Sequence, residues 1–327
     1  MKILIVRFSS IGDIVLTTPI IRCIKQQVKD VQLHYLTKKS FAEILPNNPY
    51  LDKVYSIEKN LSEISEELKK EKYNFVLDLH HNFRTAQLKT LLQKKSGSVN
   101  KLNLKKWLMV NLKLNVLPNQ HIVDRYFEAA LYLEIKNDSQ GLDYFIPNTD
   151  NVELQSLPPE FSNGYIGFVI GAKHATKQLP PEKIISICKK LNQPIILLGG
   201  KEDTAKGDLI CKAVEIYIFN ACGKYNLNQS ASLIKQARKI ITHDTGLMHI
   251  AAAFKKEIIS VWGNTIPAFG MYPYQTGFGK NGQGVIIEVK NLSCRPCSKI
   301  GYKTCPKGHF KCMNEINEDL IIKAVNS

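Results

Sequence analysis

The stretch from Lys2 to Asp13 reads KILIVRFSSIGD. Lys2 to Phe8 is a short, apolar and β-branched run without a helical period, and it predicts a buried strand. The turn that follows contains Gly12, which permits a tight bend and a close approach of the backbone. Asp13 to Val28 then predicts a helix, with Pro19 as a local distortion. A strand that leads through a turn into a helix predicts an α/β fold.

The same alternation continues along the chain. Three further strands are predicted at Val31–Leu36, Lys53–Ile57 and Phe75–Leu79, and a helix at Leu61–Lys70. The region from Ile135 to Gly164 is polar and contains prolines, so we expect a linker there. After it come the predicted elements Tyr165–Ile170, Pro181–Leu191, Pro194–Leu198, Glu202–Val214, Tyr217–Asn220, Asn228–Ala237, Lys239–Thr242, Gly246–Phe254, Glu257–Trp262 and Asn314–Val325.

This order predicts two Rossmann-like α/β domains, residues 1–155 and 156–327, each with a parallel sheet. We expect the two domains to face each other across a cleft, because ligands bind at the carboxyl ends of parallel strands. A length of 327 residues and a hydrophobic content of 44% suit two ordinary domains. We expect a cytoplasmic protein, since Arg7 and Asp13 interrupt the only apolar run near the N-terminus and no stretch approaches the roughly 18 apolar residues of a spanning helix.

The charge is strongly positive and unevenly placed. The formal net charge is +15, and no acidic residue lies between Asp78 and Asp124. The cations of that stretch are Arg84, Lys89, Lys94, Lys95, Lys101, Lys105, Lys106 and Lys113. Such a block predicts a binding face for an anionic partner. Phosphorylated lipid headgroups, nucleic acid and an acidic saccharide all fit it equally well.

Asp13 is the first residue with a candidate chemical role. Aspartate is favoured at helix N-termini, where its carboxylate caps the backbone and gains from the helix dipole, so a purely structural role is at least as well supported. In the functional alternative, a carboxylate at this end of a strand takes the proton from an attacking hydroxyl group.

The segment HDTGLMH, from His243 to His249, follows a predicted strand. Thr245 and Gly246 would begin a helix whose free amide groups can bind phosphate. The structural alternative is that Asp244, Thr245 and Gly246 form a capping turn and that His249 lies in the core. The compact Asp-Thr-Gly at a junction between strand and helix favours phosphate binding.

Two further loops follow strands of the second half. The loop GAKHATKQLP from Gly171 to Pro180 contains Lys177, which could neutralise a leaving diphosphate, although a solvated loop is the alternative. The loop GGKED from Gly199 to Asp203 contains Glu202, an acidic residue that could hold ribose hydroxyls. Neither loop has the glycine fingerprint of dinucleotide-binding dehydrogenases, which argues against that class.

Taken together, three segments resemble glycosyltransferase family 9, the heptosyltransferases of lipopolysaccharide core synthesis. They are RFSSIGD at Arg7–Asp13, KQLP at Lys177–Pro180 and DTGLMHIAAA at Asp244–Ala253. Their order and spacing match the family over nearly the whole chain. The resemblance implies a fold of the GT-B type and an inverting, metal-independent transfer that requires no cofactor. It also implies an N-terminal acceptor domain and a C-terminal donor domain.

The resemblance also assigns residues. It makes Asp13 the general base and places Lys177 on the donor phosphates. The donor-site residues would be Lys177, Glu202, Asp244, Thr245, Gly246 and His249. The acceptor-site residues would be Ser10, Gly12, Arg84 and Lys101. The implied partners are ADP-heptose and an anionic, lipid-linked saccharide, with peripheral contact to the inner membrane and a monomeric chain.

Several alternatives stay open at this point. Relatives often have an aromatic residue before the loop proline, whereas this chain has Leu179, so another nucleotide sugar in capsule or O-antigen assembly is possible. A nucleic-acid-binding module is an alternative of another class. The basic block argues for it, but Phe83 and Trp107 are its only candidate stacking platforms. A catalytically silent relative is disfavoured by the intact Asp13, Lys177 and Asp244.

Four cysteines are clustered near the C-terminal end, at positions 294, 297, 305 and 312. Cys294 and Cys297 have the spacing of a metal-binding knuckle, and His309 is close in sequence, so a structural zinc at Cys294, Cys297, Cys305 and Cys312 is one interpretation. A packed or disulfide-prone loop is the other. The four remaining cysteines lie in apolar contexts that predict reduced, buried thiols.

Overall fold

The structure, a computed structural model, describes residues 1–215, 217–275 and 284–327. Its internal contacts divide the chain into two compact units. Unit 1 consists of Met1–Leu102 and Gln120–Phe145, and unit 2 of Asn103–Asn119 and Ile146–Ser327. The division at residue 145 falls within the predicted linker. The segment Asn103–Asn119 belongs to unit 2 although it lies early in the sequence.

Unit 1 is built on a parallel sheet. Its five strands have the order β3-β2-β1-β4-β5. The elements in chain order are β1 (Lys2–Val6), α1 (Ile11–Val15), α2 (Thr18–Gln27), β2 (Gln32–Lys38), β3 (Lys53–Ile57), α3 (Ser65–Lys70), β4 (Phe75–Asp78), α4 (Phe83–Leu92), β5 (Lys95–Ser98), α5 (Asn103–Asn111, part of unit 2) and α6 (Ile122–Ala129).

Unit 2 repeats the architecture with six parallel strands in the order β11-β10-β9-β6-β7-β8. Its further elements are β6 (Ile166–Val169), α7 (Pro181–Leu191), β7 (Ile195–Leu198), α8 (Thr204–Val214), β8 (Ile218–Asn220), α9 (Leu227–Gln236), β9 (Lys239–His243), α10 (Gly246–Ala253), β10 (Glu257–Trp262), β11 (Gly284–Glu288), α11 (Lys311–Asn314) and α12 (Glu318–Asn326). The predicted α/β class with two parallel sheets is confirmed.

Burial explains why the strands could be predicted from the sequence. Ile3, Leu4, Ile5 and Val6 of β1 are all fully buried. Strands covered on both faces by helices are apolar at every position, without the alternation of half-exposed sheets. Three candidate site residues, Asp13, Lys177 and Asp244, follow the carboxyl ends of β1, β6 and β9 respectively.

Three predicted helices were wrong in their continuity. The helix expected from Asp13 to Val28 is divided into α1 and α2, because Pro19 lacks an amide hydrogen and is suited to a first turn rather than to a helix interior. The helix expected at Leu61–Lys70 begins only at Ser65, after a 3₁₀ turn at Leu61–Glu63.

The third of these predicted helices is interrupted near the C-terminal end. The helix expected at Asn314–Val325 is divided where the Asn317 side chain accepts the amide of Asp319 and begins α12. Across the described ranges, no helix has the length and apolar character needed to cross a bilayer.

Candidate active site

In unit 1 the site centres on Asp13, the third residue of α1. Its Oδ2 atom accepts a hydrogen bond of 2.7 Å from the Ser10 hydroxyl group and one of 3.2 Å from the Ser10 amide. Its Oδ1 atom lies 2.6 Å from the guanidinium of Arg7. The predicted position near the helix cap is therefore confirmed. The structure also shows a buried cation, Arg7, beside the carboxylate.

Arg7 is itself fixed by the backbone. Its Nε donates to the Ser9 carbonyl oxygen at 2.7 Å and its NH1 group to that of Leu79 at 2.5 Å. Burial alone would raise the pKa of Asp13, but the charge of Arg7 and the hydrogen bonds from Ser10 outweigh it and lower the pKa below its usual value. Asp13 is therefore a carboxylate at neutral pH and can accept a proton.

Cationic and aromatic groups lie near this carboxylate in the same unit. The Arg84 guanidinium lies 5.3 Å from the centre of the Phe8 ring, which contacts the His80 ring edge-to-face. Burial, followed by the charges of Arg7 and Lys101, lowers the pKa of His80 to about 4, so this histidine is neutral at pH 7. The structure thus places Arg84 against the Phe8 ring and the charge of Lys101 near His80.

Gly12 has a different place from the other three predicted acceptor residues. It is buried within α1, while Ser10 is bonded to Asp13. Arg7 belongs to the segment that carries the family resemblance, but no role of its own was predicted for it. The signal for Arg7 was its place one residue after the buried strand β1, where a charged side chain has to find a partner.

In unit 2, Lys177 and Asp244 form an ion pair. Lys177 Nζ lies 2.5 Å from Asp244 Oδ2, and the Thr265 hydroxyl group donates to the same oxygen at 2.9 Å. Lys177 ends a 3₁₀ turn after β6, whereas Asp244 follows β9, and these two strands are neighbours in the sheet. The pair therefore holds one ammonium group at the carboxyl edge of the sheet.

The other predicted donor residues surround the start of α10. The Thr245 hydroxyl group accepts the amide of Leu247 at 3.2 Å, so Thr245 is the N-cap and Gly246 the first helical residue. His249 is buried within the same helix. The capping alternative for Thr245 and the core alternative for His249 are thus both seen, beside a helix terminus that can bind an anion.

His243 connects the two loops of unit 2, a role that the sequence interpretation missed. Its Nε2 atom accepts the amide of Leu179 at 2.9 Å. Burial, and then the charge of Lys206, lowers the pKa of His243 to about 3, so the ring stays neutral and its acceptor nitrogen is retained. Because the partners are 64 residues apart in sequence, no local pattern predicts the bond.

Glu202 is exposed in a 3₁₀ turn, and its neighbour Asp203 is the buried residue. Asp203 Oδ2 accepts the amide of Gly200 at 3.0 Å, and its Oδ1 lies 3.4 Å from Lys206 Nζ. Lys206 donates in turn to Gln178 Oε1 at 2.7 Å. This chain of polar contacts anchors the loop that carries Lys177, and Glu202 is not part of it.

Gly171 leaves no space for a side chain at the start of that loop. A Cβ atom at this position would lie 2.0 Å from Asp203 Oδ2. We expect Gly171→Ala to lower the free energy of unfolding by about 1–3 kcal/mol, as overpacking does. Urea unfolding of the single variants and of Gly171→Ala with Asp203→Ala measures the coupling, which should be strongly non-additive. Simple additivity of the two effects would contradict the contact.

The clustered cysteines are all free thiols. Cys294 Sγ lies 3.8 Å from His309 Nε2. Across residues 1–215, 217–275 and 284–327, no three or more His, Cys, Asp or Glu side chains are arranged to hold a metal ion. The zinc interpretation therefore stays a prediction, and no step of the chemistry is assigned to a metal there.

The chain is similar in sequence to known glycosyltransferases. The family model described as Glycosyltransferase family 9 (heptosyltransferase) matches residues 62–304. One curated relative is lipopolysaccharide heptosyltransferase 1 of Campylobacter coli, which is 26% identical over 99% of this chain and 98% of its own length.

Two solved structures resemble the chain over its whole length. A glycosyl transferase family 9 protein from Veillonella parvula has a TM-score of 0.80 at 20% identity, covering 99% of this chain and 96% of that one. The ADP-heptose lipopolysaccharide heptosyltransferase II of E. coli has a TM-score of 0.73 at 19% identity, covering 100% and 98%. These similarities confirm the predicted fold of two Rossmann-like domains of the GT-B type.

Proposed function

Since the chain belongs to glycosyltransferase family 9, we propose that it transfers a heptose from ADP-heptose to the inner core of a lipopolysaccharide, with inversion and without a metal ion. The observation that carries the chemistry is Asp13, a carboxylate kept ionised by Arg7 at the carboxyl end of β1. The choice of heptose is supported by the heptosyltransferase relatives, of which the C. coli protein covers 99% of this chain.

The proposed reaction proceeds in one displacement. Asp13 accepts the proton of an acceptor hydroxyl group, and the oxygen forms a bond to the anomeric carbon of heptose. The bond between that carbon and the diphosphate oxygen breaks on the opposite face, and ADP leaves. Attack opposite the leaving group inverts the anomeric configuration.

Negative charge grows on the leaving ADP, and unit 2 offers two groups to stabilise it. One is the N-terminus of α10 at Thr245 and Gly246, and the other is the ammonium group of Lys177. Asp244 and Thr265 hold Lys177 in position before the donor binds. A fixed cation and a helix terminus together can take the role that a metal ion has in other transferases.

Acceptor binding is assigned to unit 1. Ser10 is bonded to Asp13, Arg84 lies against Phe8 and Lys101 acts on His80. The two cations would suit the phosphates or carboxylates of an inner-core saccharide. Gly12 contributes through the close turn of α1 rather than through a side chain. Glu202 is exposed close to Gly200, and we propose that it contacts the ribose of the donor from that position. A cytoplasmic, monomeric enzyme is part of the proposal, and its eight free cysteines suit a reducing compartment.

Leu179 bears on the alternative donor. This residue is buried in the core of unit 2 and its amide is bonded to His243. The exchange of an aromatic residue for leucine therefore changes core packing, and it gives no direct reason to replace ADP-heptose by another nucleotide sugar.

A nucleotide screen tests the donor. Thermal unfolding is measured with ADP, UDP, GDP and dTDP in the presence of EDTA. ADP at 100 times its dissociation constant should stabilise the native state by about 2.7 kcal/mol, and the other nucleotides by clearly less. Selective stabilisation by UDP, GDP or dTDP would discard ADP-heptose but keep a glycosyltransferase. No response to any nucleotide would remove the support for the donor site.

A further inference from the structure

Helix α5 is unusual within unit 2. Five of its nine residues are apolar, yet none of the nine is buried. Leu104 is 71% exposed and Trp107 is 54% exposed. Helices on globular units normally bury their apolar face, and contiguous exposed apolar groups mark a binding surface. The exposure continues past the end of the helix to Leu112, Leu114 and Val116.

A second exposed segment, Lys299–Lys307, lies beside this helix in the same unit. Lys299 Nζ donates to Asn103 Oδ1 at 3.4 Å. Lys113 Nζ donates to the carbonyl oxygens of Cys294 at 3.2 Å and Pro296 at 2.7 Å. Ile300 and Tyr302 are 56% and 42% exposed. The first of these bonds joins the two segments directly, and those of Lys113 reach the chain just before the second segment. We call the exposed side chains of residues 103–116 and 299–307 the Trp107 surface.

Charge identifies what covers this surface. Both segments lie in stretches without any Asp or Glu, residues 79–123 and 289–314. Lys105, Lys299, Lys303 and Lys307 are exposed among the apolar side chains. By contrast, the exposed Leu209 and Leu320 each follow an aspartate in sequence. The Trp107 surface instead combines Trp, Leu and Ile with lysines, without an acidic residue in either stretch.

We propose that the Trp107 surface binds the anionic headgroup region of a phospholipid bilayer. Short helices rich in Leu, Trp and Lys lie flat in that region, with the apolar side chains among the headgroups and acyl chains. Each lysine near an anionic bilayer adds about 1 kcal/mol of attraction. A helix of nine residues is about 14 Å long, so it lies on the bilayer and does not cross it.

The surface is connected to the donor loop. The Tyr302 amide donates to the Thr176 hydroxyl group at 2.8 Å, and the Thr176 amide donates to the Tyr302 carbonyl oxygen at 3.2 Å. Thr176 immediately precedes Lys177. That the acceptor is lipid-linked rests on the proposed function. Binding through this surface would then hold the Lys177 loop close to the membrane that carries the acceptor.

Fluorescence offers a direct test, because the chain has two tryptophans and Trp262 is only 1% exposed. Vesicles of phosphatidylcholine with phosphatidylglycerol should shift the emission of Trp107 to shorter wavelength and float the protein. Pure phosphatidylcholine vesicles should do neither, and added salt should weaken binding. Absence of binding to the anionic vesicles, or equal binding to both kinds, would overturn the proposal.

Matched variants locate the contact. Leu104→Gln with Trp107→Gln should weaken flotation by about tenfold or more. Leu209→Gln with Leu320→Gln, which also removes two exposed apolar residues, should leave flotation unchanged. Equal loss in the two double variants, or none in the first, would contradict the surface. Salt-sensitive binding to random DNA without vesicle binding would show that the surface binds nucleic acid instead. A dimer of the wild type that is lost in the first variant would show that it binds a second copy of the chain.

The nucleotide screen separates this inference from the proposed function. The Leu104→Gln, Trp107→Gln variant should keep the wild-type stabilisation by ADP, because neither residue belongs to the donor or acceptor site. Vesicle binding without any nucleotide response would retain the Trp107 surface and refute the heptosyltransferase assignment. ADP stabilisation without vesicle binding would support the donor site and refute bilayer binding by the Trp107 surface.

Discussion

Asp13→Asn should lower kcat by about 10³-fold and leave the affinity for ADP unchanged. General acid–base catalysis by a positioned side chain contributes about 10²–10⁴-fold, and asparagine keeps the shape of the side chain without its basicity. Stopped-time assays of ADP release measure kcat, and titration calorimetry with ADP measures donor binding.

The control for Asp13 is Asp30→Asn, an exposed aspartate of unit 1 with a left-handed backbone that asparagine tolerates. Its kcat should equal that of the wild type. The pH profile adds a second criterion. The Asp13 pKa lies below its usual value of 3.8, so the base should stay ionised and kcat should not fall on its account as the pH is lowered from 7 towards 4. A near wild-type rate for Asp13→Asn would show that the base assignment is wrong.

Lys177→Ala should lower kcat by about 10²–10³-fold, the loss typical of removing one group that stabilises charge in a transition state. It should also weaken ADP binding, because the cation beside the diphosphate is gone and Asp244 is left as an unpaired carboxylate. The same ADP-release and calorimetric measurements apply. This variant should not bind vesicles differently, since Lys177 is outside the Trp107 surface.

Two comparisons make the Lys177 result specific. Lys189→Ala removes an exposed lysine from α7 in the same unit and should leave both quantities unchanged. Lys177→Ala combined with Asp244→Asn removes the repulsion from the unpaired carboxylate, so it should recover part of the ADP affinity but little of kcat. If Lys177→Ala retains wild-type kcat, then Lys177 only balances Asp244 and does not act on the donor.

Much of the fold was predictable because its strands are buried on both faces. β3, α7 and β10 have the bounds expected from sequence. β5 was missed because its sequence, KSGS, has no apolar period and lies at an edge of the sheet. α5 was missed as well: none of its apolar residues is buried, so the pattern expected of a helix with one buried face is absent.

The candidate site was predictable only in part, for a related reason. Local patterns place Asp13, Thr245 and Gly246 at helix starts, and the structure shows each there. The contacts that give these positions their chemistry join distant segments. Arg7 reaches the Leu79 carbonyl oxygen across 72 residues, and Lys177 reaches Asp244 across 67. Pairing of parallel strands, rather than sequence spacing, brings such groups together.

The most direct test of the central claim is transfer itself. Purified protein is incubated in EDTA with ADP-heptose and a lipid A–Kdo acceptor, and the product is analysed by mass spectrometry and NMR. We predict that each acceptor gains one heptose, that one ADP is released per transfer, and that the anomeric configuration is opposite to that of the donor. Absence of transfer from ADP-heptose, retention of configuration, or loss of activity in EDTA would each contradict the account.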